Sequence, residues 1–133
     1  MSSFRIRAGK PDDLPWIRAL LDRAPEAASW LPEDHLWLVA EPESGFICWR
    51  AVAENEFELL NLAVAPEFRR QKLGSALLEA AGIARGAWFL EVRASNQAAQ
   101  EFYRQAGFAV MGNRKKYYAH PVEDAIVLGR KEC

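Results

Sequence analysis

The sequence predicts a three-layer α/β domain, in which a mixed and mostly antiparallel sheet carries helices on both faces. Three observations predict it. Runs rich in β-branched and aromatic residues alternate with segments of helical period, in the order β, α, β, β, β, α, β, α, β, β, and such interleaving needs a sheet covered on both sides. The chain has 133 residues and is 50% hydrophobic, enough for one substantial core without room for a second domain of ordinary size, so a single domain over 1–133 is expected. The third observation is the stretch Val64 to Leu78, V-A-P-E-F-R-R-Q-K-L-G-S-A-L-L, where an apolar run stops at Pro66 and a basic loop opens directly into a helix.

The elements follow in order. Phe4-Arg-Ile-Arg alternates apolar and polar before Gly9 and reads as a short strand. Pro11, Asp12 and Asp13 then precede Leu14, Ile17, Leu20 and Leu21, which share one helical face. Ala24 to Glu33, with two prolines and Trp30-Leu31, is a loop or short turn; Trp30 either tucks into the core or lines a binding cleft. His35 to Glu41 and Gly45 to Ala53 form a hairpin around Pro42, Glu43 and Ser44, and Phe57 to Val64 follows as a third antiparallel strand. A second helix is expected from Leu73 to Arg85, ending near Gly86. Ala87 to Val92, A-W-F-L-E-V, is a buried strand carrying one acid, Glu91. Ser95-Asn96 caps a third helix over Gln97 to Gln105, which breaks at Gly107. Phe108 to Met111 and Asp124 to Leu128 are the last strands, joined by a polar and basic connection that contains Tyr117 and Tyr118.

Composition narrows the function. A net charge of −1 gives no overall pull toward nucleic acid or an anionic membrane, so neither is an expected partner. Two cysteines, one inside an apolar run and one at position 133, do not make a disulfide framework; with no apolar run of membrane-spanning length and no signal-peptide pattern after Met1, a cytoplasmic location is expected. There is no P-loop, G-x-G-x-x-G, H-E-x-x-H or C-x-x-C, and the only histidines are His35 and His120. No metal is therefore expected.

The basic loop is where chemistry first suggests itself. Arg69, Arg70, Gln71 and Lys72 lead into a helix carrying the small residues Gly74, Ser75 and Ala76. A helix N-terminus offers unpaired N–H groups and the positive end of the dipole, and small side chains let a phosphate reach the backbone. A solvated loop before an ordinary helix is the competing reading.

The segments N-L-A-V-A-P-E-F-R-R-Q, L-G-S-A-L-L, L-E-V-R-A-S-N, F-Y-R-Q-A-G-F, K-Y-Y and E-D-A-I-V-L, in this order between Leu59 and Leu128, resemble those of the GCN5-related N-acetyltransferases (GNAT), and most closely their ribosomal-protein-alanine branch. The resemblance implies a sheet whose strands splay apart to admit acetyl-CoA as co-substrate. Backbone groups of Leu62, Ala63 and Val64 would pair with its pantetheine arm, and amides from Arg70 through Ala76, with the Arg69 to Lys72 side chains, would hold its pyrophosphate. Asn96 would contact the coenzyme, or serve as a plain N-cap. Glu91 matches the general base, the alternative being an acid paired with Arg93 or Lys116. Tyr103 matches the residue that protonates the departing thiolate, against simple core packing. Tyr117 and Tyr118 match a tyrosine pair beside the acceptor, with Trp30 a further acceptor-side residue. The implied reaction is direct transfer to a primary amine, above all a protein N-terminal α-amine such as a ribosomal protein's, by a monomer or weak dimer; a small amine, a lysine, or a non-catalytic acetyl-CoA-binding module are the alternatives.

One position departs from the resemblance. The phosphate-loop pattern usually reads Q/R-x-x-G-x-G/A, and in the register Arg69 to Gly74 the first glycine position is Lys72; a one-step shift, Gln71 to Ala76, also fits. A negative φ is expected at Lys72, where lysine costs little and adds a charge for a phosphate.

Overall fold

A computed structural model describes residues 4–23, 35–69, 72–119 and 121–131. The strands are β1 (Arg5–Ala8), β2 (Leu36–Glu41), β3 (Gly45–Ala53), β4 (Glu56–Val64), β5 (Ala87–Arg93), β6 (Ala109–Ala119) and β7 (Val122–Arg130), and the helices α1 (Leu14–Asp22), α2 (Leu73–Ala81) and α3 (Gln97–Gln105). Among the described residues seven strands form one sheet in the order β1-β2-β3-β4-β5-β7-β6, in which β4 with β5 is the only parallel pair. A parallel pair needs a crossover, and α2 supplies it.

Strand alternation sorts the core into two layers. Phe46 and Cys48 of β3 pack with Ile17 and Leu20 of α1, whereas Ile47 and Trp49 pack with Leu73, Leu77 and Leu78 of α2 and Tyr103 of α3. The three-layer expectation holds, with α1 on one face and α2 and α3 on the other. Cys48 is fully buried, and burial pushes its thiol up to about 12, so it is an inert hydrophobe. Beside α1, the Arg7 guanidinium grips both oxygens of buried Asp13 at 2.9 and 2.8 Å, and Asp13 also accepts from Trp16 Nε1 at 2.8 Å and the Lys10 amide at 3.0 Å. Arg7 thereby holds the Asp13 carboxyl well below the usual carboxylate range.

Two element boundaries differ from expectation. α2 stops at Ala81 rather than Arg85, because Gly82 takes φ 93° and returns its N–H to Glu79 O while Ile83 N–H reaches Leu78 O, a left-handed close that Gly82 provides four residues before Gly86. The polar connection after Met111 is largely strand: β6 runs on to Ala119. It lies at the sheet edge and is mostly exposed, so no apolar alternation marks it.

One irregularity governs the site. Cys48 pairs with Asn61 but Trp49 pairs with Leu59, so Leu60 is an extra residue in β4. Such a bulge bends and twists its strand. Pairing of β4 with β5 covers only Glu56 to Glu58 against Ala87 to Phe89 and stops just before the bulge. Beyond it the two strands part.

Candidate active site

The parting of β4 and β5 opens a cavity of about 570 Å³. Leu62, Ala63 and Val64 form its β4 wall, Leu90 to Arg93 its β5 wall, and Asn96, Phe102 and Tyr103 of α3 face the α2 start across it. The backbone direction along β4 follows from one bond. Ala65 N–H donates to Ser44 O at 2.7 Å, so Ala65, and by alternation Ala63, turn their amides toward β3, whereas Leu62 and Val64 turn theirs into the gap. Val64 O is accordingly within reach of Arg69 Nε at 3.3 Å. Ala63, which also lines the cavity, turns its backbone toward β3.

The helix start at the end of this gap carries no side-chain cap. The amide of Ala76 donates to Lys72 O at 3.1 Å and closes the first turn, which leaves the amides of Leu73, Gly74 and Ser75 outside the helix ladder. Ala76 does not line the cavity, and its amide is already engaged by Lys72 O. A Cβ on Gly74 would lie 3.0 Å from the Phe102 ring, so a larger residue here would need that ring to shift by a few tenths of an ångström. Arg69 and Lys72 line the cavity as expected, and Arg70 and Gln71 lie outside the described residues. Lys72 does not have the expected negative φ. It sits at φ 61°, ψ 22°, in the left-handed region, because the chain must reverse there from loop to helix in one residue. This is the position where the resembling pattern carries its first glycine, which favours the register Arg69 to Gly74.

Glu91 alternates with buried Leu90 and Val92 and so points to the α1 face, opposite α2 and α3. Burial pushes its carboxyl above the ordinary range; Arg114 pulls it back and Glu58 adds to the rise. Its ion-pair partner is Arg114 Nε at 3.4 Å, not Arg93 or Lys116, and its Oε2 is buried without a hydrogen bond among the described residues. Arg93 is occupied elsewhere, at 3.2 Å from Glu123 and stacked 4.3 Å over the Tyr118 ring. Lys116 is tied through its backbone to Asp124, at 2.9 Å.

Tyr103 approaches from the other face. It is 7% exposed and packs edge-on against Phe102 and Phe108, and burial raises its phenol well above its usual value, so it stays protonated. Asn96 both lines the cavity and caps α3, its Oδ1 accepting from Ala99 N–H at 3.1 Å. Tyr118 lines the cavity on the Glu91 side, whereas Tyr117 is 48% exposed and lies outside the lining. Trp30 lies outside the described residues.

The sequence reading missed Arg114, the Leu60 bulge and Phe102. For Arg114 a signal existed in the register: Glu91 pairs with Val127, which pairs with Gly112, two residues before Arg114 on the same face. Among the described residues no group of acids, histidines and cysteines could hold a metal ion, and no helix is long and apolar enough to cross a membrane.

A three-layer domain whose sheet opens beside an uncapped helix start is the class to which coenzyme-binding acetyltransferase domains belong. The family match agrees: residues 32–110 match the Acetyltransferase (GNAT) domain, and the chain belongs to that family. It is 42% identical over 86 residues to the [ribosomal protein bS18]-alanine N-acetyltransferase of Escherichia coli K12, a match covering 58% of this chain and 57% of that protein, little more than half of the curated relative. The Salmonella typhimurium protein of the same name is 37% identical over 103 residues, covering 71% of this chain and 68% of its own. The crystal structure of the ribosomal-protein-S18-alanine N-acetyltransferase from Escherichia coli superposes with a TM-score of 0.78 at 29% identity, over 96% of this chain and 93% of the other.

Proposed function

We propose that this chain transfers an acetyl group from acetyl-CoA to the N-terminal α-amine of a protein, of the kind a ribosomal protein presents, by direct attack in a ternary complex. The observation that carries the reading is that Glu91 and Tyr103 meet one cavity from opposite faces of the sheet, with the free edge of β4 between them. A thioester laid along that edge would have an acid on one side and an acceptor channel on the other. Leu62 and Val64 would pair with the pantetheine arm, and the Leu73 to Ser75 amides, with Arg69 and Lys72, would take the pyrophosphate.

The residue roles follow from the chemistry. Glu91 removes a proton from the acceptor ammonium, directly or through a water, and the amine nitrogen attacks the thioester carbonyl carbon. As the C–S bond breaks, the Tyr103 hydroxyl gives its proton to the leaving thiolate, and the proton still on the acetylated nitrogen is released through water, which also restores the phenol. An α-amine has a pKa of about 8 against about 10.4 for lysine, so it is neutral far more often near pH 7 and asks less of the base. The names of the curated relatives support the same acceptor class.

The test is a competition among amines. The protein is incubated with acetyl-CoA, a peptide with a free N-terminal alanine, the same peptide blocked at its N-terminus but bearing lysine, a polyamine and an aminoglycoside, and the products are read by mass spectrometry. A single acetyl group on the α-amine is expected. Acetylation of lysine or a small amine reassigns the acceptor, and coenzyme binding with no CoA release from any of them makes the chain a binding module.

A further inference from the structure

Arg114 is an exposed cation paired with a buried acid, and its placement at Glu91 has a use. Glu91 Oε2 is buried and accepts no hydrogen bond among the described residues, although it lies 3.4 Å from Arg114 Nε. A buried carboxylate oxygen in this state is short of a donor. Arg114 in turn is 58% exposed, and apart from Glu91 its recorded contact is the Tyr117 ring, 5.4 Å from the guanidinium. Arg93, one pleat along β5, is held by Glu123, the Pro121 carbonyl and the Tyr118 ring together. One arginine is pinned and the other is free to leave.

The surroundings give it room. Gly112 lies across β7 from Glu91, and a Cβ there would meet nothing within 4 Å, so the strand surface beside Arg114 is open at that position. The groups that act on Glu91 are Arg114 and Tyr118 from β6 and Glu58 from β4, while Arg93, two residues along its own strand, is engaged by Glu123 and the Tyr118 ring. Of the two cations, Arg114 alone pairs with Glu91. A partly exposed ion pair of this geometry is weak, whereas a primary ammonium brings three donors to an acceptor that lacks one.

We propose that Arg114 is a displaceable counterion, and that the acceptor's ammonium takes its place at Glu91 when the acceptor binds. The inference rests on the acetyl-transfer reading. Before binding, the guanidinium favours the ionised form of Glu91 against the burial that raises its carboxyl. On arrival of the acceptor, the guanidinium swings outward past Gly112, and the ammonium that replaces it is the one whose proton Glu91 removes. Arg114 is thus a specificity-determining residue that competes with the substrate.

Competition has a readout that a structural role lacks. Arg114→Gln and Arg114→Lys are compared with wild type for affinity to an N-terminal-alanine peptide, with coenzyme A replacing acetyl-CoA so that nothing reacts, and for kcat/KM against pH. The glutamine variant should bind the peptide about three- to tenfold more tightly between the acid limb and about pH 8, where Glu91 is ionised and the acceptor is still an ammonium, with acetyl-CoA affinity unchanged. Its acid-side limb should move to higher pH, because the charge that holds Glu91 ionised is gone. Lysine should fall between the two. Weaker peptide binding by the glutamine variant would make Arg114 a direct holder of the acceptor and overturn the proposal, as would unmoved affinity together with an unmoved limb. Failure of the acetyl-transfer reading shows differently, as wild-type protein that acetylates no amine in the presence of both partners.

Discussion

Replacing Lys72 by glycine and by alanine separates its backbone role from its charge. The side chain sits at φ 61°, ψ 22°, where a residue with a Cβ pays roughly 1–2 kcal/mol that glycine does not. In a right-handed or extended conformation the order reverses, since glycine loses roughly 0.5–1 kcal/mol more than alanine through the entropy of the unfolded chain. Taking one from the other, Lys72→Gly should be more stable than Lys72→Ala by about 0.5–1 kcal/mol. For a chain of 133 residues that is about 2–5 °C in Tm by calorimetry or circular dichroism. Both variants lose the same ammonium, so any drop in acetyl-CoA affinity that they share reports the charge. An alanine variant melting at or above the glycine variant would refute the left-handed conformation and restore the ordinary one expected from the sequence.

Other consequences are equally direct. Asp13→Asn should cost about 2–3 kcal/mol near neutral pH, since it removes a charged partner of Arg7 from a buried site. Because the folded pKa of Asp13 is depressed, its contribution is present above the unfolded value of about 3.9 and fades as pH falls below it, so the Tm gap between wild type and variant should close in acid; a gap constant with pH would contradict the ion-pair account. Asp124 holds Lys116, at φ 53°, through its amide and Asn113 through its side chain, in the irregular stretch of β6 that sets Tyr118 toward Glu91. Asp124→Ala should therefore raise the acceptor KM several-fold at constant acetyl-CoA affinity, and adding Lys116→Gly should recover much of the loss; no recovery would show that the left-handed turn is not what positions Tyr118. Tyr103→Phe should lower turnover by at least about tenfold with acetyl-CoA binding nearly intact, and unchanged turnover would remove Tyr103 from the acid role.

The parts of the fold that were legible are those where burial and period agree. Glu91 stood out as the acid in an otherwise apolar strand, and Asn96 and Tyr103 sit on a helix with a clear cap and face, so their relative placement followed from topology. β6 was read short because an exposed edge strand has no face to bury and its composition resembles a loop. The Leu60 bulge falls in L-L-N-L, where leucines on both sides of Asn61 leave the register open, and the β4 and β5 pairing stops just before it. Lysine itself gives no sign of a left-handed turn, and only the glycine that the resembling pattern carries at this position points to the φ of 61° at Lys72. Arg114 looked like one cation in a basic run, and only the cross-strand register through Val127 and Gly112 brings it to Glu91.

The central claim is that the free edge of β4 receives acetyl-CoA, and amide exchange along that strand tests it most directly. Leu62 and Val64 turn their backbone into the gap, while Ala63 faces β3. Titrating acetyl-CoA into the labelled protein should slow exchange of the Leu62 and Val64 amides by about tenfold or more and leave Ala63 as it was, since a new partner protects only groups that lacked one. Protection that spreads evenly over the three residues, or that spares Leu62 and Val64 while acetyl-CoA is bound, would place the coenzyme elsewhere and contradict the account.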